Sequence, residues 1–164
     1  MQSKHKKRIC IVSRSLSEGG ADRVAAMQSI FLSDLGYKVF IVTILDGVAY
    51  PYKGDLFNLG KIKTKNDTIF GRFKRLMLFK KFLKSNKIDL VIDHRVRSKP
   101  FSEYIISGFI YSESVIYMVH NYAIDLYFPP FKGLTKALYK PAKSIICVSD
   151  GIERLVKKTY GFNN

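Results

Sequence analysis

The sequence predicts a doubly wound α/β domain, a mainly parallel sheet with helices on both faces. Three observations predict it. Short apolar, β-branched runs recur along the chain, segments of helical length separate them, and glycine, proline or a capping serine marks the junctions.

The runs are Ile9–Val12, Val39–Ile44, Leu90–Ile92, Val115–Val119 and Ile145–Val148. Most are continuous rather than alternating, as in strands buried on both faces. In the first helical segment, Ala21–Leu35, Val24, Met27, Ile30, Phe31 and Leu35 fall close to the i, i+3, i+4, i+7 spacing, and Gly36 is a C-terminal stop. Ile69–Ser85 and Ser102–Tyr111 are further helices. Pro129-Pro130 breaks the chain, Gly133–Tyr139 adds a short helix, and Ser149 caps Gly151–Lys158. Ligands of such folds bind outside the carboxyl ends of the strands. The stretches to inspect are therefore Ser13–Ala21, Thr43–Gly47, Asp93–Lys99, His120–Tyr122 and Ser149–Asp150.

Composition narrows the class. The 164 residues are 47% hydrophobic and 25% charged, a globular balance sufficient for one domain. Cys10 and Cys147 lie inside apolar runs and read as buried thiols of a reducing, cytoplasmic setting. No apolar run reaches the ~20 residues of a membrane span, and residues 1–7 form a basic leader, with His5 in it, that is expected to be disordered. The net charge is +15, concentrated between Lys61 and Lys99, where thirteen Lys/Arg face three acids. Such a field attracts phosphate-bearing substrates, anionic lipid surfaces or nucleic acid.

The stretch SRSLSEGGADRV follows the first strand and opens the first helix. Gly19-Gly20 allows close backbone approach, and a helix N-terminus offers unpaired N–H groups to phosphate. The spacing is neither GxGxxG nor a Walker loop, so neither assignment follows.

GGADRV in this position resembles the GGAER-type motif of retaining GT-B-fold glycosyltransferases of the group 1 / family 4 type. Three further stretches resemble that family in order: IDLVIDHRVRS, YMVHNY and IICVSDGIERLVKKTYGFNN. The resemblance implies one Rossmann-like half of a GT-B fold over residues 8–164, namely the amino-terminal, acceptor-binding domain. The family's carboxyl-terminal domain grips the nucleotide-sugar and carries two glutamates eight positions apart. Glu18, Glu103, Glu113 and Glu153 include no such pair. The chain thus reads as a hexosyltransferase-type enzyme's first half, inactive alone, acting in polysaccharide or glycolipid synthesis.

By that resemblance Gly19 and Gly20 contact the donor diphosphate, and His120 is the catalytic residue, facing the donor sugar and supporting departure of the nucleotide diphosphate. Asp22 stands where the family has Glu. Arg23, His94, Arg95, Arg97 and Asn121 are expected to bind acceptor; arginine suits bidentate recognition of phosphate or carboxylate. The donor's own phosphate is implied to assist deprotonation of the acceptor, so no protein base is required in this half. No metal-ligand spacing is visible and no metal or cofactor is expected, the nucleotide-sugar being a substrate.

Along IFGRFKRLMLFKKFLKSNK, Ile69, Phe73, Leu76, Met77 and Leu83 gather on one side and read as core. Leu78, Phe79 and Phe82 fall elsewhere among Arg72, Lys74, Arg75 and Lys81, and could rest on the inner face of an anionic membrane. The alternatives are a basic nucleic-acid-binding domain or a stand-alone nucleotide-binding module. No helix-turn-helix, RNP or zinc pattern supports the first, and the glycine spacing argues against the second.

Overall fold

The computed structural model describes residues 6–63 and 68–162. His5 with the start of the basic leader, Lys65 and Asp67 of the basic segment, and Asn163-Asn164 lie outside them. Six parallel strands form one sheet in the order β3-β2-β1-β4-β5-β6. They are β1 (Arg8–Ser13), β2 (Lys38–Thr43), β3 (Asp55–Asn58), β4 (Leu90–Asp93), β5 (Ser114–Val119) and β6 (Ser144–Cys147). The helices are α1 (Gly19–Asp34), α2 (Ile69–Ser85), α3 (Pro100–Ile105), α4 (Lys132–Tyr139) and α5 (Asp150–Tyr160). A wider π-turn, Ile106–Ile110, continues α3. The direction of winding reverses between β1 and β4, which makes their carboxyl ends the crevice where ligands bind in such folds.

Alternation along each strand builds two cores. Cys10, Val12, Phe40, Val42, Val91 and Val119 point to one side, against Phe79 and Leu83 of α2, Tyr139 of α4, and Ile152 and Val156 of α5. Ile11, Val39 and Ile41 point to the other, against Ala25 and Ala26 of α1. Ile9, Ile92 and Met118 extend that second face. Helices therefore cover both faces. Beyond Met118, its β6 neighbour Ile146 is 42% exposed on the α1 side.

Three details differ from the sequence reading. First, β3 is added as an edge strand: DLFN is too short and polar to stand out, and only pairing with Phe40–Thr43 makes it a strand. Second, the apolar stripe of α1 faces out, with Met27 59% and Phe31 63% exposed. The buried side is Asp22, Ala25, Ala26 and Ser29, because small side chains let the helix lie close on the sheet. Third, the faces of α2 are rearranged. Phe79 is buried and Phe82 stacks on Phe57, ring centroids 4.7 Å apart, whereas Ile69 and Phe70 are 83% and 86% exposed and Phe73 is exposed with them. The chain reaches the sheet only along the second half of α2, so exposure follows distance from the sheet rather than angle on the wheel.

Gly54 shows how tightly β3 enters. Its φ is 125°, and a Cβ there would lie 2.5 Å from the Val39 carbonyl oxygen. Gly54→Ala is expected to lower stability by about 1–3 kcal/mol, read by denaturant titration. An unchanged midpoint would show that the β2–β3 turn is looser than this geometry.

Candidate functional site

The loop after β1 is shaped by Asp22. Its carboxylate accepts from the Ser13 hydroxyl at 2.8 Å, from the Ser15 hydroxyl, and from the Ser15 and Glu18 backbone N–H groups at 3.4 Å each. Two strand-end hydroxyls and the helix's first turn are thus tied to one buried acid. Gly19 then takes φ 75°, in the left-handed region that favours glycine, and the space beside Gly19 and Gly20 is open. No side chain caps this helix start. Arg23 is exposed on the first turn. A polar loop turns directly into a helix here because one buried carboxylate organises it.

At the end of β4, Asp93 is wholly buried. It accepts from Arg95 Nη2 at 2.6 Å, Arg95 Nε at 3.1 Å, the Arg95 backbone N–H at 2.8 Å and the Tyr111 hydroxyl at 2.9 Å. Glu103 lies 3.3 Å from Arg95 Nη2 and accepts from Ser107. Arg97 is 2% exposed. Its Nη1 donates to the Asp93 and Arg95 carbonyls and its Nη2 to the Met118 carbonyl, and Tyr117, Tyr127 and Tyr139 ring the guanidinium, centroids 4.9, 5.4 and 5.9 Å away. Burial pushes the Asp93 carboxyl up, but the Arg95 and Arg97 charges outweigh it and hold it below the usual range.

These contacts correct the expectation that Arg95 and Arg97 bind acceptor. Both guanidiniums belong to the interior, because two cations and two acids within a few residues neutralise one another there. Asn121 is exposed, and its Oδ1 accepts from the Ala123 N–H at 3.0 Å, closing a turn. His94 is also buried rather than presented on a loop.

The two strand-end histidines meet. His94 Nδ1 lies 3.0 Å from His120 Nε2, and His94 Nε2 lies 2.8 Å from Oε1 of Gln28 on α1. Gln28 escaped the sequence reading; its only signal is a long neutral polar side chain beside the buried Ala25 and Ser29. Burial, the His120 ring and Arg97, opposed by Asp93, bring the His94 pKa down to about 3. Burial and then Arg97, opposed by Asp22, lower His120. Gly19, Gly20, His94 and His120 thus share the carboxyl edge of β1, β4 and β5, while Arg23 and Asn121 are exposed at its rim. Among the described residues no group of three or more His, Cys, Asp or Glu side chains is placed to hold a metal, and no helix is long and apolar enough to cross a membrane.

Neutral histidines make stability acid-sensitive. The unfolded chain protonates His94 below about pH 6.5, the folded chain only near pH 3. Stability is therefore full above pH 6.5 and falls by about 1.4 kcal/mol per pH unit on acidification, with a further loss from Asp93 below about pH 4. Denaturant titrations between pH 7 and 4 should show this slope reduced in His94→Gln. An equal slope in both proteins would mean that His94 takes up its proton while folded.

The sequence matches no protein-family model and no curated protein. Solved structures do share the fold. A glycosyltransferase from Rickettsia africae ESF-5 aligns over 97% of this chain with a TM-score of 0.66 and 16% identity. MurG from Acinetobacter baumannii aligns over 86% at 0.53 and 13%. An α-glucosyltransferase in complex with UDP and a 13-mer DNA containing a HMU base aligns over 87% at 0.53 and 16%. The chain spans 41%, 41% and 38% of those three proteins. It has the Rossmann-like α/β fold of one lobe of a GT-B glycosyltransferase.

Proposed function

We propose that this chain is the acceptor-binding lobe of a retaining glycosyltransferase, one that moves a sugar from a nucleotide-sugar to a glycan or lipid-linked acceptor. One observation carries the reading. At the β1–β4 reversal, an uncapped helix start with open space at Gly19 and Gly20 shares an edge with His120. The first feature suits a diphosphate, since N–H groups and the helix dipole favour anions. The second offers a neutral imidazole to the sugar in this reading. The likeness to two-fifths of larger glycosyltransferases accords with a partner lobe that completes the donor site. The lobe alone is inactive and needs no metal.

Arg23 and Asn121, both exposed, remain the acceptor-side edge of this reading; His94, buried with both ring nitrogens engaged, serves it through His120, and Arg95 and Arg97 only by holding the edge in place. In the two-lobed protein, His120→Ala is expected to lower sugar transfer about tenfold or more, as for one lost hydrogen bond in the transition state, while stability falls only by the loss of its hydrogen bond to His94. Transfer equal to wild type would remove His120 from the reaction.

The acceptor reaches the site from an anionic membrane surface. Ile69, Phe70 and Phe73 stand exposed at the start of α2, and Lys74, Lys80, Lys81 and Lys84 follow on the same helix. Shallow insertion of the apolar residues and about 1 kcal/mol per lysine near anionic lipid would hold the protein there. Vesicles with anionic lipid should sediment the chain at low salt, and Phe70→Ser with Phe73→Ser should release it. Equal recovery on neutral vesicles would overturn this, and salt-dependent binding to DNA without vesicle binding would favour the nucleic-acid alternative.

A further inference from the structure

We propose that Gln28 and His94 are positioning residues that fix which nitrogen of His120 carries the proton, making His120 an acceptor for a substrate hydroxyl rather than a donor to phosphate. The argument is a chain of directed hydrogen bonds across three elements. Gln28 Oε1, on α1, is 2.8 Å from His94 Nε2. A carbonyl oxygen only accepts, so the His94 proton is on Nε2. His94 Nδ1 therefore presents a lone pair. It lies 3.0 Å from His120 Nε2, which must be the donor. A neutral imidazole has one N–H, so His120 Nδ1 is left unprotonated. It makes no hydrogen bond to the described residues.

The surroundings keep both rings neutral, as the relay requires. The Arg97 charge disfavours a second charge on either ring, and Asp93 at His94 and Asp22 at His120 oppose it only in part. The Tyr127 ring is 6.4 Å from the His120 ring. The ring centroids of His94 and His120 are 5.0 Å apart with planes inclined by 26°, so the rings meet nearly in plane, edge to edge. A lone pair at His120 Nδ1 repels a diphosphate oxygen and accepts from an O–H. The diphosphate then falls to the N–H groups of the Gly19-Gly20 turn, and His120 takes a hydroxyl of the sugar. This assignment of the hydroxyl rests on the sugar-transfer reading; the proton order in the relay does not.

The test uses the whole chain labelled with nitrogen-15 in its three histidines. Long-range proton–nitrogen spectra at neutral pH should show His94 and His120 both protonated at Nε2 and bare at Nδ1. Gln28→Glu sets a lone acid against His94, so both His94 nitrogens should be protonated and the His120 proton should move to Nδ1. Gln28→Leu should lose the wild-type pattern at His94 and also at His120, a residue it does not touch. A wild-type His120 protonated at Nδ1, or a His120 pattern indifferent to Gln28→Leu, overturns the relay. If Gln28→Leu does not fold, the wild-type and Gln28→Glu spectra still decide. In the two-lobed protein, Gln28→Leu should lower transfer about tenfold, and Gln28→Glu, which turns the His120 lone pair away from the substrate, should not restore it. Undiminished transfer in Gln28→Leu overturns the positioning role. Failure of the sugar-transfer reading looks different, because wild-type protein then transfers no sugar while its tautomers stand as predicted.

Discussion

The burial of one carboxylate, Asp93, between two arginines governs the carboxyl edge of the sheet. An isolated charge in this interior would be untenable, and removing one partner from a buried ion pair typically costs about 3–5 kcal/mol. Here the cost is met by number and geometry. Arg95 grips Asp93 through two nitrogens and leans on Glu103. Arg97 adds its charge and donates from Nη1 and Nη2 to three carbonyls, while its Nε is buried without a hydrogen bond. One of these, on Met118, belongs to β5, and the Arg97 backbone N–H donates at 2.7 Å to Leu126 beyond it. The β4 loop is thereby fastened to the β5 loop, and His94 and His120 come within hydrogen-bond reach as a result.

The same cluster sets the electrostatics of the site. A buried histidine beside a lone acid would gain a proton; beside an acid already matched by arginines it does not. Asp93 still favours the charged form of His94, but burial, the second ring and Arg97 together prevail. Hydrogen bonds between neutral rings have a direction, whereas two imidazolium rings could only repel. The site thus has two parts of different character, a turn with open space at Gly19-Gly20 and a neutral ring pair on the same edge.

Helix packing divides the rest of the surface. α1 rests on the sheet through alanines and a serine, so its larger apolar side chains stay outside. α2 rests through Phe79, Phe82 and Leu83 and lifts its first turns clear. Both helices therefore show more apolar surface than their covered faces require. On α2 this surface adjoins lysines, and one of them, Lys80, sits 3.5 Å above the Phe109 ring.

The sequence by itself determined the strands β1, β2, β4, β5 and β6, the positions of the helices and the loops at the carboxyl edge. Strands buried on both faces must be continuously apolar, and turns into helices must be glycine- or serine-rich, so both leave local marks. The tertiary structure decided which face of α1 and α2 is inside, that β3 is a strand, and that Arg95 and Arg97 are interior. It also decided that Gln28 reaches His94. Each of these depends on a neighbour distant along the chain: a small residue is buried only if a sheet lies beneath it, and an arginine can leave water only when its counter-charge and carbonyls are already in place. Periodicity in one segment contains no record of such partners, which is why the chemistry of the site became legible only in three dimensions.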